Sequence, residues 1–223
     1  MKEVILDTET TGLSVSDGHR IVEIGCIEID NLIPTQNKFH CYLNPERKVS
    51  ERALEVHGYT DEFLSTQKKF AEVVDEFLNF IENKRLVIHN SEFDLSHLNH
   101  ELALLDKKKL NSENTIDTLA LARDKFPGSP ISLDALCKRY KIDNSKRTQH
   151  TALIDCELLA KVYINLLDQK EPTLNFKNQD DEKVIINLKD SNQYCKKIIK
   201  PTEEEIKLHN EYLKSSLKKN FFS

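Results

Sequence analysis

Two carboxylates, Asp7 and Glu9, close a short apolar run, Val4-Ile5-Leu6. The run has the length and make-up of a buried strand. Side chains two apart on a strand leave from the same face. Two acids held side by side repel unless something positive lies between them, and a divalent cation is the usual partner. The plain alternative is a pair of solvated charges where the strand meets the turn Thr10-Thr11-Gly12-Leu13. The apolar lead-in argues for the first, because it sets the pair at the C-terminal edge of a strand, where open α/β sheets keep their sites.

A second group lies in HNSEFD, residues 89–94. Asp94 falls in the first turn of an expected helix, where a carboxylate is either a partner of the helix dipole or a ligand facing the edge that carries Asp7 and Glu9. The third group is HTALID, residues 150–155. Asp155 sits among Leu153, Ile154, Leu158 and Leu159, so it either looks out to solvent or serves as a ligand. Five helical residues turn through about 500°, which would leave His150 and Asp155 about 140° apart. They converge only if His150 lies on the loop before the helix. A histidine there is either a general base that takes a proton from water near neutral pH or a surface residue. Four carboxylates and one loop histidine together suggest two-metal phosphodiester hydrolysis, with two divalent ions about 3.5–4 Å apart.

The elements that must position these residues can be read from the periodicity. Strands are expected at 4–9, 20–30, 38–43 and 85–89, with 20–30 apolar on both faces and therefore central. Helices are expected at 70–83, 91–105 (with Ser91 as N-cap), 132–140 and 151–167, and 115–126 starts extended before turning helical. Strands first, then alternating helices and strands, give an α/β layer structure with a mixed sheet. This organisation implies a catalytic domain over 1–168. A polar linker over 169–195 has one short apolar stretch, 184–188, and a tail follows at 196–223. In the tail, Thr202 and Glu205 form a capping-box pattern. Ile206, Leu213 and Leu217 draw a narrow apolar stripe on a charged helix, the pattern of a helix lying in a partner's groove; a coiled coil is the other reading.

The 223 residues carry 32 basic and 37 acidic side chains, a formal net charge of −5. Binding to nucleic acid through bulk positive charge is thereby excluded, whereas a local grip through metal ions is not. No apolar run reaches the ~20 residues of a membrane span, and acidic residues interrupt the N-terminus where a signal peptide would be apolar. The five cysteines lack CxxC spacing and read as reduced thiols in the cytoplasm.

Taken in order, ILDTETTG, VHG (56–58), HNSEFD, SLDALC and HTALID resemble the motifs of the DEDD exonuclease superfamily, in the subgroup with a histidine base. GHRIVEIGCIEI, VHGYTDEFL and SLDALCKRYKIDNSKRTQH narrow the resemblance to the epsilon (proofreading) subunits of bacterial DNA polymerase III, strongly over residues 3–167 and more loosely in the tail. The resemblance implies a ribonuclease H-like sheet flanked by helices and removal of nucleotides from a DNA 3′ end with two Mg²⁺ or Mn²⁺ ions. Asp7, Glu9 and Asp155 would hold the tighter ion, Asp94 the second, and His150 would deprotonate the attacking water. Asp7, Glu9, Thr10, Arg52, His57 and Asp155 would meet the terminal nucleotide. Leu13 and Phe93 are expected to flank the end bases. Lys138, Arg139, Lys141, Lys146 and Arg147 are expected to meet the phosphate backbone. Leu174 and Phe176 resemble a sliding-clamp motif in which Glu171 replaces the usual glutamine. The tail would dock on the polymerase catalytic subunit, and a small accessory subunit would bind the catalytic domain. The rival functions are an RNA-trimming exonuclease of the same superfamily and a non-catalytic replisome scaffold.

Overall fold

The structure is a computed structural model and describes residues 2–145, 147, 149–168 and 200–215. These fall in two units, with the division between Leu174 and Asn175.

The first unit is built on a five-stranded mixed sheet. Strand β1 (Lys2–Thr10) runs antiparallel to β2 (Ile21–Asp30), which pairs antiparallel with β3 (Ile33–Tyr42). On its other side β1 runs parallel to β4 (Arg85–Ile88), and β4 parallel to β5 (Thr115–Asp117), so the order is β3-β2-β1-β4-β5. β1 is therefore the middle strand and β2 its buried neighbour, as the apolar patterning requires. β3 begins five residues earlier than its short apolar segment suggests, because Asn31 and Leu32 both adopt positive φ and turn the chain straight back onto β2. Its early residues face solvent on the sheet edge, so they carry no apolar signal.

The helices lie on both faces. After β3 come two short helices, α1 (Glu51–His57) and α2 (Asp61–Ser65), which hydrophobic period does not disclose. Their starts are instead marked by Ser50 and Thr60, whose hydroxyls accept from Ala53 N and Phe63 N. Helices α3 (Phe70–Ile81) and α4 (Ser91–Leu104) pack with Val4, Leu6, Ile24 and Ile88 on one face of the sheet. Helices α5 (Thr118–Lys125), α6 (Leu133–Tyr140) and α7 (Ala152–Leu166) pack with Ile5, Ile27 and Val87 on the other. Successive β1 residues thus serve opposite cores, and odd-numbered Asp7 and Glu9 inherit the α7 face. Asn90 rather than Ser91 is the N-cap of α4. It has φ +74°, which lets the chain leave β4 and enter the helix within two residues.

The second unit contains α8 (Glu203–Ser215), opened by the expected capping box. Glu205 Oε2 accepts from Thr202 N at 2.7 Å, and Thr202 Oγ1 accepts from Glu205 N at 3.3 Å. Ile206, Leu208 and Tyr212 are exposed on it. No described helix is long and apolar enough to cross a membrane. The linker expectations, including Leu174, Phe176 and the stretch 184–188, lie outside the described residues, as does Leu217.

Candidate active site

The site forms at the C-terminal ends of the parallel strands β1 and β4. Asp7 and Glu9 end β1, only partly open to solvent. Opposite Asp7 on β2 stands Gly25. A Cβ on Gly25 would lie 2.6–2.7 Å from backbone atoms of Ala152 and Leu153. Only glycine therefore lets the first turn of α7 rest directly on the sheet. Cys156 seals the same contact, its thiol donating to Gly25 O at 3.2 Å. Asp155 belongs to the stripe Ala152, Asp155, Cys156, Leu159, Tyr163, which faces the sheet. It is 3% exposed, which removes the solvent-facing alternative.

Asp94 arrives from the other face. It is buried in the first turn of α4, where its Oδ1 accepts from Thr8 N at 3.0 Å and from Thr8 Oγ1 at 2.7 Å. Thr8, between the two acids on β1, thus ties α4 to the strand. His150 lies on the loop immediately before Thr151, the N-cap of α7, which is the one placement that allows it to meet Asp155. Its Nδ1 is 3.5 Å from Asp155 Oδ2. Ligand atoms of Glu9, His150 and Asp155 all lie within 4.8 Å of one another.

The electrostatics match a cation site. Burial, together with the charges of Asp94, Glu9 and Asp155, holds the Asp7 carboxyl well above its ordinary value. Burial and the neighbouring acids push Glu9 up to about 8. Burial raises Asp94 to about 7 against the hydrogen bonds from Thr8. Carboxyls that resist ionisation beside one another are stabilised as anions by a divalent ion among them, so these residues fit one. Asp155 differs. Burial raises it, but His150 and Arg147 outweigh burial and leave it lowered.

Arg147 corrects an expectation. It does not reach out toward a phosphate backbone. Its side chain is 7% exposed and lies along Asp155, with Nε to Oδ1 at 2.6 Å and Nη2 to Oδ2 at 2.7 Å. The same guanidinium donates to Asp134 Oδ2 at 2.6 Å and to His150 Nδ1 at 2.8 Å. Arg139 is likewise occupied, stacked 4.3 Å over the Phe126 ring. Lys138 and Lys141 are exposed, and Lys146 lies outside the described residues.

Beside Glu9 opens a cleft of about 350 Å³ lined by Thr10, Leu13, Arg52, His57 and Phe93 among others. Thr10 is buried, its hydroxyl donating to Gly12 O at 2.8 Å. Arg52 is exposed on α1. His57 ends α1 almost fully buried, with Nδ1 accepting from Tyr59 N at 3.0 Å and its ring stacked on Tyr59. Burial lowers its pKa, so it presents a neutral ring to the cleft. Leu13 is exposed at the rim, and Phe93 packs against His97 with centroids 4.6 Å apart. Pattern does not mark Thr8 or Glu23, the acid facing Glu9 across β1 and β2, as site residues, and it marks Arg147 only as a phosphate contact. For Glu23 the available signal was an acid inside a strand apolar on both faces.

Comparison with known proteins bears on the family and the fold. The family model described as Exonuclease matches residues 4–163. DNA polymerase III subunit epsilon of Rickettsia conorii is 49% identical over 227 residues, covering 98% of this chain and 97% of that protein. Among solved structures, Exonuclease X in complex with 5′ overhanging duplex DNA superposes with a TM-score of 0.59 at 26% identity, over 75% of this chain and 92% of that one. The nuclease domain of 3′hExo, a DEDDh family member bound to rAMP, superposes with a TM-score of 0.63 over 76% of this chain and 92% of that one. At 18% identity it is a likeness of fold.

Proposed function

The chain belongs to the exonuclease family and, within it, to the epsilon subunits of bacterial DNA polymerase III, and on that premise we propose how it works. It removes nucleotides from a DNA 3′ end as the proofreading subunit of the replicative polymerase, by metal-dependent hydrolysis with His150 as general base. One observation carries this reading: Asp7, Glu9, Asp94, Asp155 and His150, drawn from three distant segments, meet beside a cleft sized for a small ligand.

Asp7, Glu9 and Asp155 would hold one divalent cation and Asp94 the second, Mg²⁺ or Mn²⁺ in both places. The chemistry such a pair would supply is activation of a water and stabilisation of the leaving oxygen. The chain's own residues do the rest. His57, Thr10 and Arg52 receive the terminal nucleotide, with Leu13 and Phe93 flanking its base. Arg147 donates to His150 Nδ1 at 2.8 Å and so holds the ring that is to act as base in a fixed orientation. Release of that bond frees Nδ1, the nitrogen facing the acids, to take a proton from the attacking water. A mismatched end frays more often and reaches the cleft more often, so selectivity needs no reading of base identity.

The tail with α8 would dock on the polymerase catalytic subunit, Leu174 and Phe176 would contact the sliding clamp, and a small accessory subunit would bind the first unit, all in the cytoplasm. Digestion of a 3′-mismatched primer tests the activity. Nucleotide release is expected with Mn²⁺, none with chelator, and none from Asp7→Ala. Release by Asp7→Ala at the unaltered rate rejects the assignment, and faster trimming of RNA than of DNA favours the RNA-processing rival.

A further inference from the structure

Glu23 takes no part in the chemistry above, yet no other described acid is so deeply buried, at 0% exposed. It stands directly across from Glu9 in the β1–β2 register. Its Oε2 accepts from Ala152 N at 2.9 Å and from Tyr59 Oη at 2.8 Å, and its Oε1 pairs with His40 Nε2 at 2.7 Å. Three acceptor contacts satisfy a carboxylate that would otherwise be costly to bury. The partners come from three separate parts of the chain. Ala152 is the first residue of α7, between His150 and Asp155. Tyr59 follows α1, and its backbone and ring hold His57. His40 is on β3. A carboxylate at a helix N-terminus is also favoured by the helix dipole.

We propose that Glu23 is a positioning residue: it pins the start of α7, and with it His150 and Asp155, at the distance from Asp7 and Glu9 that cation binding needs, while touching neither cation nor DNA. The inference rests on reading those four residues as the hydrolytic site. Glu28 supplies the control. It is a second buried acid on the same strand, 2% exposed, with Lys84 Nζ at 2.8 Å and Asn37 Nδ2 at 2.9 Å, and it belongs to the opposite end of β2.

The experiment compares full-length Glu23→Ala, Glu23→Gln and Glu28→Ala for thermal unfolding without metal, for Mn²⁺ affinity by calorimetry, and for kcat on a single-stranded DNA oligonucleotide at saturating Mn²⁺. Glu23→Ala is expected to weaken Mn²⁺ binding and to lower kcat by about tenfold each, the usual cost of losing a residue that orients metal ligands. Glu23→Gln, whose amide oxygen still accepts from Ala152 N, should recover most of both. Glu28→Ala should lower the unfolding temperature while leaving Mn²⁺ affinity and kcat within about twofold, since its partners lie outside the site. Equal effects of the two alanine variants on Mn²⁺ binding and kcat overturn the proposal, as does a Glu23→Gln variant no better than Glu23→Ala. If Glu23→Ala does not fold, Tyr59→Phe removes one donor and keeps the ring, with a measurable weakening of Mn²⁺ binding expected and no change overturning the claim. Full activity in Asp7→Ala would instead sink the underlying site assignment, whatever Glu23 does.

Discussion

At the scale of single residues, the site is a set of acids whose protonation opposes their proximity. Glu9 and Asp94 keep protons in the fold up to about 8 and about 7, against ordinary values of 4.5 and 3.8. Between those limits the folded chain binds more protons than the unfolded one, so its stability falls as pH rises. The metal-free protein should therefore unfold at a lower temperature near pH 8.5 than near pH 6, and Mn²⁺ should reverse the loss. Asp94→Asn, which keeps an acceptor for Thr8 and removes a charge, should stabilise the metal-free fold by on the order of 1 kcal/mol. The same variant should abolish most nucleotide release; scanning calorimetry and a primer assay report the two effects together. His150 is different in kind. Its imidazole is partly exposed and its hydrogen-bonding neighbour is a long arginine, so the fold does not depend on it. His150→Ala should lower turnover by about a hundredfold or more with an unchanged unfolding temperature. Near-normal rates would remove it from the role of base.

At the scale of elements, what matters is how closely α7 sits on the sheet. The contact is backbone against backbone at Gly25, with no flexible side chain able to give way. Gly25→Ala must lift the first turn of α7, separating Asp155 from Asp7 and Glu9. The expected cost is about 2–3 kcal/mol of stability, with a larger loss of Mn²⁺-dependent activity than that destabilisation alone explains. Chemical denaturation and nucleotide release, measured on one preparation, distinguish this from simple unfolding. The opposite wall depends on a tight turn. Asn90, in the left-handed region, donates its N–H to Asp117 Oδ1 at 3.1 Å, and the same oxygen accepts from Leu119 N at the start of α5. One aspartate therefore fixes both the entry to α4, which carries Asp94, and the entry to α5.

At the scale of the whole molecule, the proposed chemistry and the proposed docking on a partner fall in different stretches of the chain. Every residue of the proposed hydrolytic site lies before Asp168, within the first unit. A chain ending at Asp168 is expected to keep its unfolding transition and its rate on single-stranded DNA. The same truncation should lose association with the polymerase catalytic subunit, as gel filtration of the mixed proteins would reveal. A truncated chain without nuclease activity would show that the tail takes part in the chemistry. Residues 1–168 carry 21 basic and 28 acidic side chains, a formal net charge of −7, which gives the truncation a clear control. Bulk attraction to DNA is weak, so activity should depend on the divalent ion far more than on added monovalent salt.

Periodicity and spacing alone determined a good deal: an α/β sheet with the strand at 20–30 buried inside it, two acids on one face of the first strand, and a histidine that had to be off the helix to be useful. These follow from the fixed geometry of strands and helices, which ties side-chain direction to residue number. The short helices α1 and α2 escaped because five to seven residues hold too little apolar period to register, so the setting of His57 had to come from the fold. Whether Asp155 faced water or the sheet was undecidable from its neighbours, since an apolar helix surrounds an acid with leucines either way; contact with Gly25 decided it. Arg147 and Glu23 belonged wholly to tertiary structure. A charge within a basic loop and a charge within an apolar strand each acquire meaning only from partners, and those partners lie from three to 129 residues away along the chain.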